Sequence, residues 1–158
     1  QGADRAAAVL TYFRHETRSV AARRGVRVAK WLGDGAMLVG VETGPSVALG
    51  AHLIAQLGSV GSAVRVGIAT GTALLFEGDD YIGSAVNMAA RLCDRAKGVE
   101  VLIPTMQLER LPEGVHAEPF GEVELRGFPG PIDVVELVGT PAPANVDTSD
   151  LWTRSPYI

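Results

Sequence analysis

Apolar positions in the first two dozen residues recur at helical intervals. Ala7, Leu10, Thr11, Phe13 and Val20 fall near one face with charges between them, so the pattern predicts a helix over 3–24. Gly25 stops it. Val26 to Trp31 and Ala36 to Val41 are two apolar runs around Gly33-Asp34-Gly35, which predicts a hairpin. Pro45 to Leu57 is helical, with Thr43 as its expected cap. Ala63 to Phe76 predicts a long β segment, bulged or bent at Gly67 and Gly71. A helix over Gly83 to Ala96, a buried strand over Val99 to Ile103 and a short helix over Pro104 to Leu111 follow. Val115 to Leu125 and Ile132 to Val138 predict a closing antiparallel pair, joined through Arg126-Gly127-Phe128-Pro129-Gly130. From Gly139 the periodicity ends, so residues 140–158 are expected to form a tail on their own domain's surface. Strands and helices mixed in this order predict one α+β domain over 1–139, with helices packed on one sheet.

Composition narrows the function classes. The chain has 158 residues, 47% hydrophobic and 20% charged, which suits one folded domain. Fourteen basic against eighteen acidic residues leave a net charge of −4, which argues against a nucleic-acid surface. A single bound nucleotide needs only a few local cations. Cys93 is the one cysteine, so no disulfide forms within the chain and a reducing compartment is compatible. No apolar run reaches the ~18 residues of a membrane helix, and Gln1 to Ala8 is no secretion signal. The expected setting is cytoplasmic.

Two segments carry candidate chemistry. In Lys30-Trp31-Leu32-Gly33-Asp34-Gly35, a carboxylate at the tip of a rigid turn is placed to hold a divalent cation. Magnesium favours one or two carboxylates plus substrate phosphates. Gly-Asp-Gly is equally the chemistry of a plain hairpin turn. In Asp80-Tyr81-Ile82-Gly83-Ser84-Ala85-Val86-Asn87-Met88-Ala89-Ala90-Arg91-Leu92, Asn87 and Arg91 are four apart and share one helix face. Ala85, Met88, Ala89 and Leu92 form the opposite, apolar face. An Arg fork suits a phosphate, and Asn can orient a hydroxyl or a ring oxygen. Asp80, just before the helix, could accept a hydrogen bond from an exocyclic amine. A solvated face with an Asp cap is the alternative. His15, His52 and His116 lie in separate segments without metal-ligand spacing.

Together these segments resemble the class III adenylyl/guanylyl cyclase family. The matching pieces stand in family order: Lys30 to Gly35, Val64-Arg65-Val66-Gly67-Ile68-Ala69-Thr70-Gly71, Asp80 to Gly83 with Val86 to Leu92, and Val123-Glu124-Leu125-Arg126-Gly127-Phe128. They cover roughly residues 3–138. The resemblance implies a ferredoxin-like α/β sandwich with a mostly antiparallel sheet. It implies that ATP becomes 3′,5′-cyclic AMP and pyrophosphate as the ribose 3′-hydroxyl attacks the α-phosphate. It assigns Lys30 and Asp80 to reading adenine, Asn87 to the ribose, Arg91 to charge at the α-phosphate and, more loosely, Arg126 to the triphosphate tail. Asp34 matches one of two aspartates that hold two Mg2+ or Mn2+ ions.

The resemblance also implies a head-to-tail homodimer. Lys30, Asp80, Asn87 and Arg91 would come from one subunit and the metal aspartates from the other, giving two equivalent sites. A fused regulatory domain is compatible with it. The family's first metal Asp sits on a strand upstream of the long helix, and the 33 residues before Asp34 are filled by that helix and the next strand. Asp4 does not match that motif. The expectation is therefore an N-terminally truncated domain, nearly inactive when isolated. The rival is a catalytically silent cyclase-like module for dimerisation or nucleotide sensing. Guanylyl cyclase is the second choice among enzymes.

Overall fold

A computed structural model describes residues 2–59, 61, 63–76, 80–98 and 100–142, without the side chains of Phe76 and Asp80. The tail beyond residue 142 lies outside the described residues. The elements run α1 (Gly2–Arg24), β1 (Arg27–Leu32), β2 (Gly35–Val39), α2 (Thr43–Gly58), β3 (Val66–Gly67), β4 (Leu74–Phe76), β5 (Asp80–Ile82), α3 (Ser84–Arg95), β6 (Val101–Pro104), β7 (Val115–Glu124) and β8 (Pro131–Gly139). β1 and β2 form one antiparallel hairpin, and β4 and β5 another. The largest sheet has the order β3-β6-β8-β7, parallel only between β3 and β6. This is the α+β architecture expected from the sequence.

Three expectations are corrected in detail. The β segment over 63–76 is two short strands, because the chain leaves the main sheet after Gly67 and forms β4 in a separate hairpin with β5. The helix over 104–111 is only a 3-10 turn at Thr105–Gln107. Thr43 is the first helical residue of α2 rather than its cap; Glu42 holds that position without a side-chain bond.

The continuous apolar run of β6 has a simple cause. Val101, Leu102 and Ile103 are all buried because both faces of the sheet are covered. Val101 and Ile103 pack with Val47 and Ala51 of α2, whereas Leu102 packs with Leu92 of α3. The helices α2 and α3 therefore lie on opposite faces of β6. α1 joins through a separate cluster, with Val20 and Ala21 against Leu49, Leu53 and Leu57 of α2 and Val26 of the hairpin.

Register does as much as composition. In β7, Ala117 pairs Leu137 and packs toward α2, but Val123 pairs Ile132 and packs toward α3. Both are odd-numbered, so strict alternation would put them on one face. The irregularity between Pro119 and Gly121 inserts one residue and exchanges the faces.

Candidate functional site

The hairpin of β1 and β2 displays Lys30 and Asp34. Gly33 takes a left-handed conformation (φ 59°) that favours glycine, which closes the turn and leaves Asp34 exposed at the tip. The tip is anchored to α1. Arg14 donates from Nη2 to the Gly33 carbonyl at 3.2 Å. The Trp31 ring lies 5.4 Å from the Arg14 guanidinium and 4.9 Å from that of Arg18. Phe13 meets the same ring edge-on at 6.4 Å.

A bulge on β1 orients Lys30. Val28 pairs Leu38 but Lys30 pairs Met37, so Ala29 is an extra residue. Val28 packs in the α1–α2 cluster. With unbroken alternation Lys30 would share that face; the extra residue gives it to Trp31 instead, and Lys30 is exposed on the other side with Arg27.

Asn87 and Arg91 stand one turn apart on α3. Asn87 is exposed and Arg91 half-exposed, while Leu92 is fully buried beneath them. Arg91 Nη1 lies 3.9 Å from Asp94 Oδ2, a loose, exposed pair worth at most about 1 kcal/mol, so it is readily exchanged for another anion. Gly67 lets α3 sit directly on β3: a Cβ added there would meet the Ala89 carbonyl oxygen at 2.2 Å and the Cys93 nitrogen at 2.5 Å. Gln107 of the 3-10 turn braces the same helix. Its Oε1 accepts from the Thr70 N–H at 2.6 Å, and its Nε2 donates to Met88 Sδ at 3.7 Å. Cys93 is half-buried, with its Sγ 3.4 Å from the Arg65 carbonyl, and burial pushes its thiol pKa up. That is the wrong direction for a nucleophile.

Asp80 opens β5 rather than capping α3; Gly83 is the cap, with no side-chain bond. The side chain of Asp80 lies outside the described residues. Its neighbour Tyr81 accepts a hydrogen bond from Arg27 Nη2, and the Arg27 guanidinium is 5.4 Å from the Tyr81 ring. The face of β1 that carries Lys30 is thus next to β5. Arg126 is exposed in the β7–β8 turn, lining a cleft of about 440 Å3 with Glu124, Leu125, Phe128 and Gly130. Leu125 and Phe128 pack with Leu92 and Met88, which sets that turn beside α3.

The structure thus joins Arg27, on the Lys30 face of β1, to Tyr81 of the strand that holds Asp80, sets Asn87 and Arg91 one turn apart on α3, and puts the Arg126 turn against the same helix. Asp34 stands apart at its hairpin tip. Among the described residues no group of three or more His, Cys, Asp and Glu could hold a metal. Asp34 alone offers one exposed carboxylate. Sequence reasoning missed Arg27, Tyr81 and Gln107, because their partners are distant in the chain. The Arg14–Arg18 clamp did leave a signal, since those residues are four apart and share a helix face.

No protein-family model matches this chain. Uncharacterized proteins of Mycobacterium tuberculosis and Mycobacterium bovis are 32% identical over 142 residues, which is 89% of this chain. The chain spans only 37% of their length. Among solved structures, adenylate cyclases of Trypanosoma brucei in their monomeric state superpose with a TM-score of 0.71 at 21% identity, covering 87% of this chain and 80% of theirs. The adenylyl cyclase CyaB of P. aeruginosa gives 0.64 at 23% identity, covering 88% and 85%. The guanylyl cyclase Cya2 gives 0.64 at 22% identity, covering 88% and 83%. No described helix is long and apolar enough to cross a membrane.

Proposed function

We propose that this chain, which has the fold of the class III adenylyl/guanylyl cyclase catalytic domain, converts ATP to 3′,5′-cyclic AMP and pyrophosphate at a site shared by two copies in a head-to-tail homodimer. The observation that carries the reading is the Asn87–Arg91 pair on the open face of α3. The helix is fixed on the sheet at Gly67, so both side chains project from a rigid base. Asn87 would orient the ribose so that its 3′-hydroxyl faces the α-phosphorus, and holding reactants in line removes much of the entropic barrier. Arg91 would leave Asp94 and place two donors on the α-phosphate oxygens as charge develops there. Arg126 would meet the triphosphate from its turn beside α3.

Lys30 and Asp80 support adenine as the base. A lysine donates to a ring nitrogen, and a carboxylate accepts from the 6-amino group. Guanine has a carbonyl there, which a carboxylate repels. Asp34 fits one ligand position of a Mg2+ or Mn2+ ion, which keeps most of its shell for water and phosphate oxygens. Such an ion would neutralise phosphate charge. Asp34 would serve the partner's nucleotide, because one hairpin tip and one helix face repeat in each copy.

The test is turnover of ATP and of GTP by the full-length protein with Mn2+, reading cyclic products. Cyclic AMP in excess is the expected result, with kcat lowered by about 10²-fold or more in Arg91→Ala. Mixing Asp34→Ala with Arg91→Ala should recover part of the activity. Nucleotide binding without any cyclic product would overturn the enzyme in favour of a sensing module. Cyclic GMP in excess would overturn the base assignment.

A further inference from the structure

We infer that Arg27 and Tyr81 form a positioning clamp that sets purine selectivity. The inference rests on the cyclase reading above and deepens its base-recognition step. Arg27 opens β1 and Tyr81 is central in β5. The guanidinium of Arg27 donates to the Tyr81 hydroxyl and lies 5.4 Å from the centre of its ring. One side chain thus holds the phenolic end of the other. Tyr81 follows Asp80 directly, and Lys30 stands two ladder rungs beyond Arg27, about 7 Å along the strand. The bulge at Ala29 puts Arg27 and Lys30 on the same side of β1. The clamp therefore ties the strand of one base-reading residue to the strand of the other.

The β4–β5 hairpin depends on such a tie. Leu74, Leu75 and Ile82 are 70%, 56% and 53% exposed, so little apolar packing fixes the strands around Tyr81. Two β-strands without a packed face are only marginally stable in water. The phosphate-handling pair, in contrast, sits on α3, which is held through Gly67 and Leu92. Loosening the clamp should then blur which base is accepted while leaving the cyclisation chemistry in place.

The experiment compares full-length wild type, Arg27→Ala, Arg27→Lys and Tyr81→Phe, measuring kcat and KM for ATP and GTP and binding of non-hydrolysable analogues of each. Arg27→Ala is expected to lower the ATP-over-GTP preference by roughly three- to tenfold, the loss of one modest hydrogen bond and ring contact. The change should lie in KM and analogue affinity, with kcat for ATP within about twofold. Tyr81→Phe keeps the ring and should lose part of the preference; Arg27→Lys should also be intermediate. A discriminating wild type whose preference survives Arg27→Ala unchanged would overturn the clamp alone. A kcat loss equal for both nucleotides, with the preference intact, would likewise reduce the pair to a structural contact. A wild type that neither binds nor converts purine nucleotides overturns the cyclase reading and the clamp with it.

Discussion

Gly67→Ala tests how closely α3 must rest on β3. The added methyl carbon would sit 2.2 Å from the Ala89 carbonyl oxygen, 2.5 Å from the Cys93 nitrogen and 3.0 Å from Leu92 Cβ. The first two neighbours are helix backbone, which cannot swing aside like a side-chain end. Ordinary contact begins near 3.4 Å, so the helix must move off by about 1 Å or β3 must bend away. The conformation at Gly67 is not left-handed, so alanine adds no backbone strain and the effect is one of space. Overpacking of this kind costs about 1–3 kcal/mol. For a domain of this size that corresponds to a Tm lower by roughly 3–10 °C. The same displacement carries Asn87 and Arg91, and about 1 Å of misplacement can cost about 10²-fold in rate. Calorimetry and cyclase turnover on the same preparation read both. Gly67→Ala with wild-type Tm and wild-type kcat would refute the close approach and the argument from rigidity. Lowered Tm with intact kcat would show that the pair on α3 does not need its tight seat.

Two further substitutions read the fold without touching the candidate site. Thr17 is completely buried on α1 and its hydroxyl finds no hydrogen-bond partner. Thr17→Val is therefore expected to raise stability by about 1 kcal/mol in chemical denaturation, and a loss would mean the hydroxyl is satisfied after all. Glu136 faces Glu118 across the β7–β8 ladder, and burial, then Glu100 and Glu118, push its carboxyl pKa up. A raised carboxyl binds its proton more tightly in the native state, so its contribution is full below the ordinary carboxylate pKa and is lost as pH rises through the folded value. Glu136→Gln should thus raise Tm more at pH 7 than at pH 4. Removing a like-charged cross-strand neighbour is worth about 0.2–1 kcal/mol. An equal gain at both values would discount the charge explanation.

Local pattern carried most of the elements. Helix α1 was legible from its spacing and Gly25, and the β1–β2 hairpin from two apolar runs around Gly33-Asp34-Gly35. The strand expected over Val99 to Ile103 is found as Val101–Pro104 and was legible as buried, but not that a helix covers each face. That fact depends on Val66 and Gly67 pointing oppositely, toward α2 and α3. The helix expected over 104–111 reduces to one turn, since the backbone is already extended at Leu108, and Gln107 at its end bonds to Thr70 and Met88. For the candidate site, the i, i+4 rule sufficed for Asn87 and Arg91. It could not reach the Arg27–Tyr81 contact, whose partners are 54 residues apart. Pairings of that kind are made by tertiary packing and leave no periodic trace in a single sequence.

The extra residue at Ala29 bears on how such a strand can change over generations. Ala29 is the residue that β1 has in excess of β2, so its loss would close the bulge and leave Lys30 opposite Met37 and Trp31 opposite Ala36, on the faces they now occupy. A residue lost from the regular part of the strand has no such slack and would turn every later side chain to the other face. In an alignment of natural variants, single-residue gaps on β1 should therefore gather at Ala29, and they should leave the polarity of positions 30 and 31 unchanged.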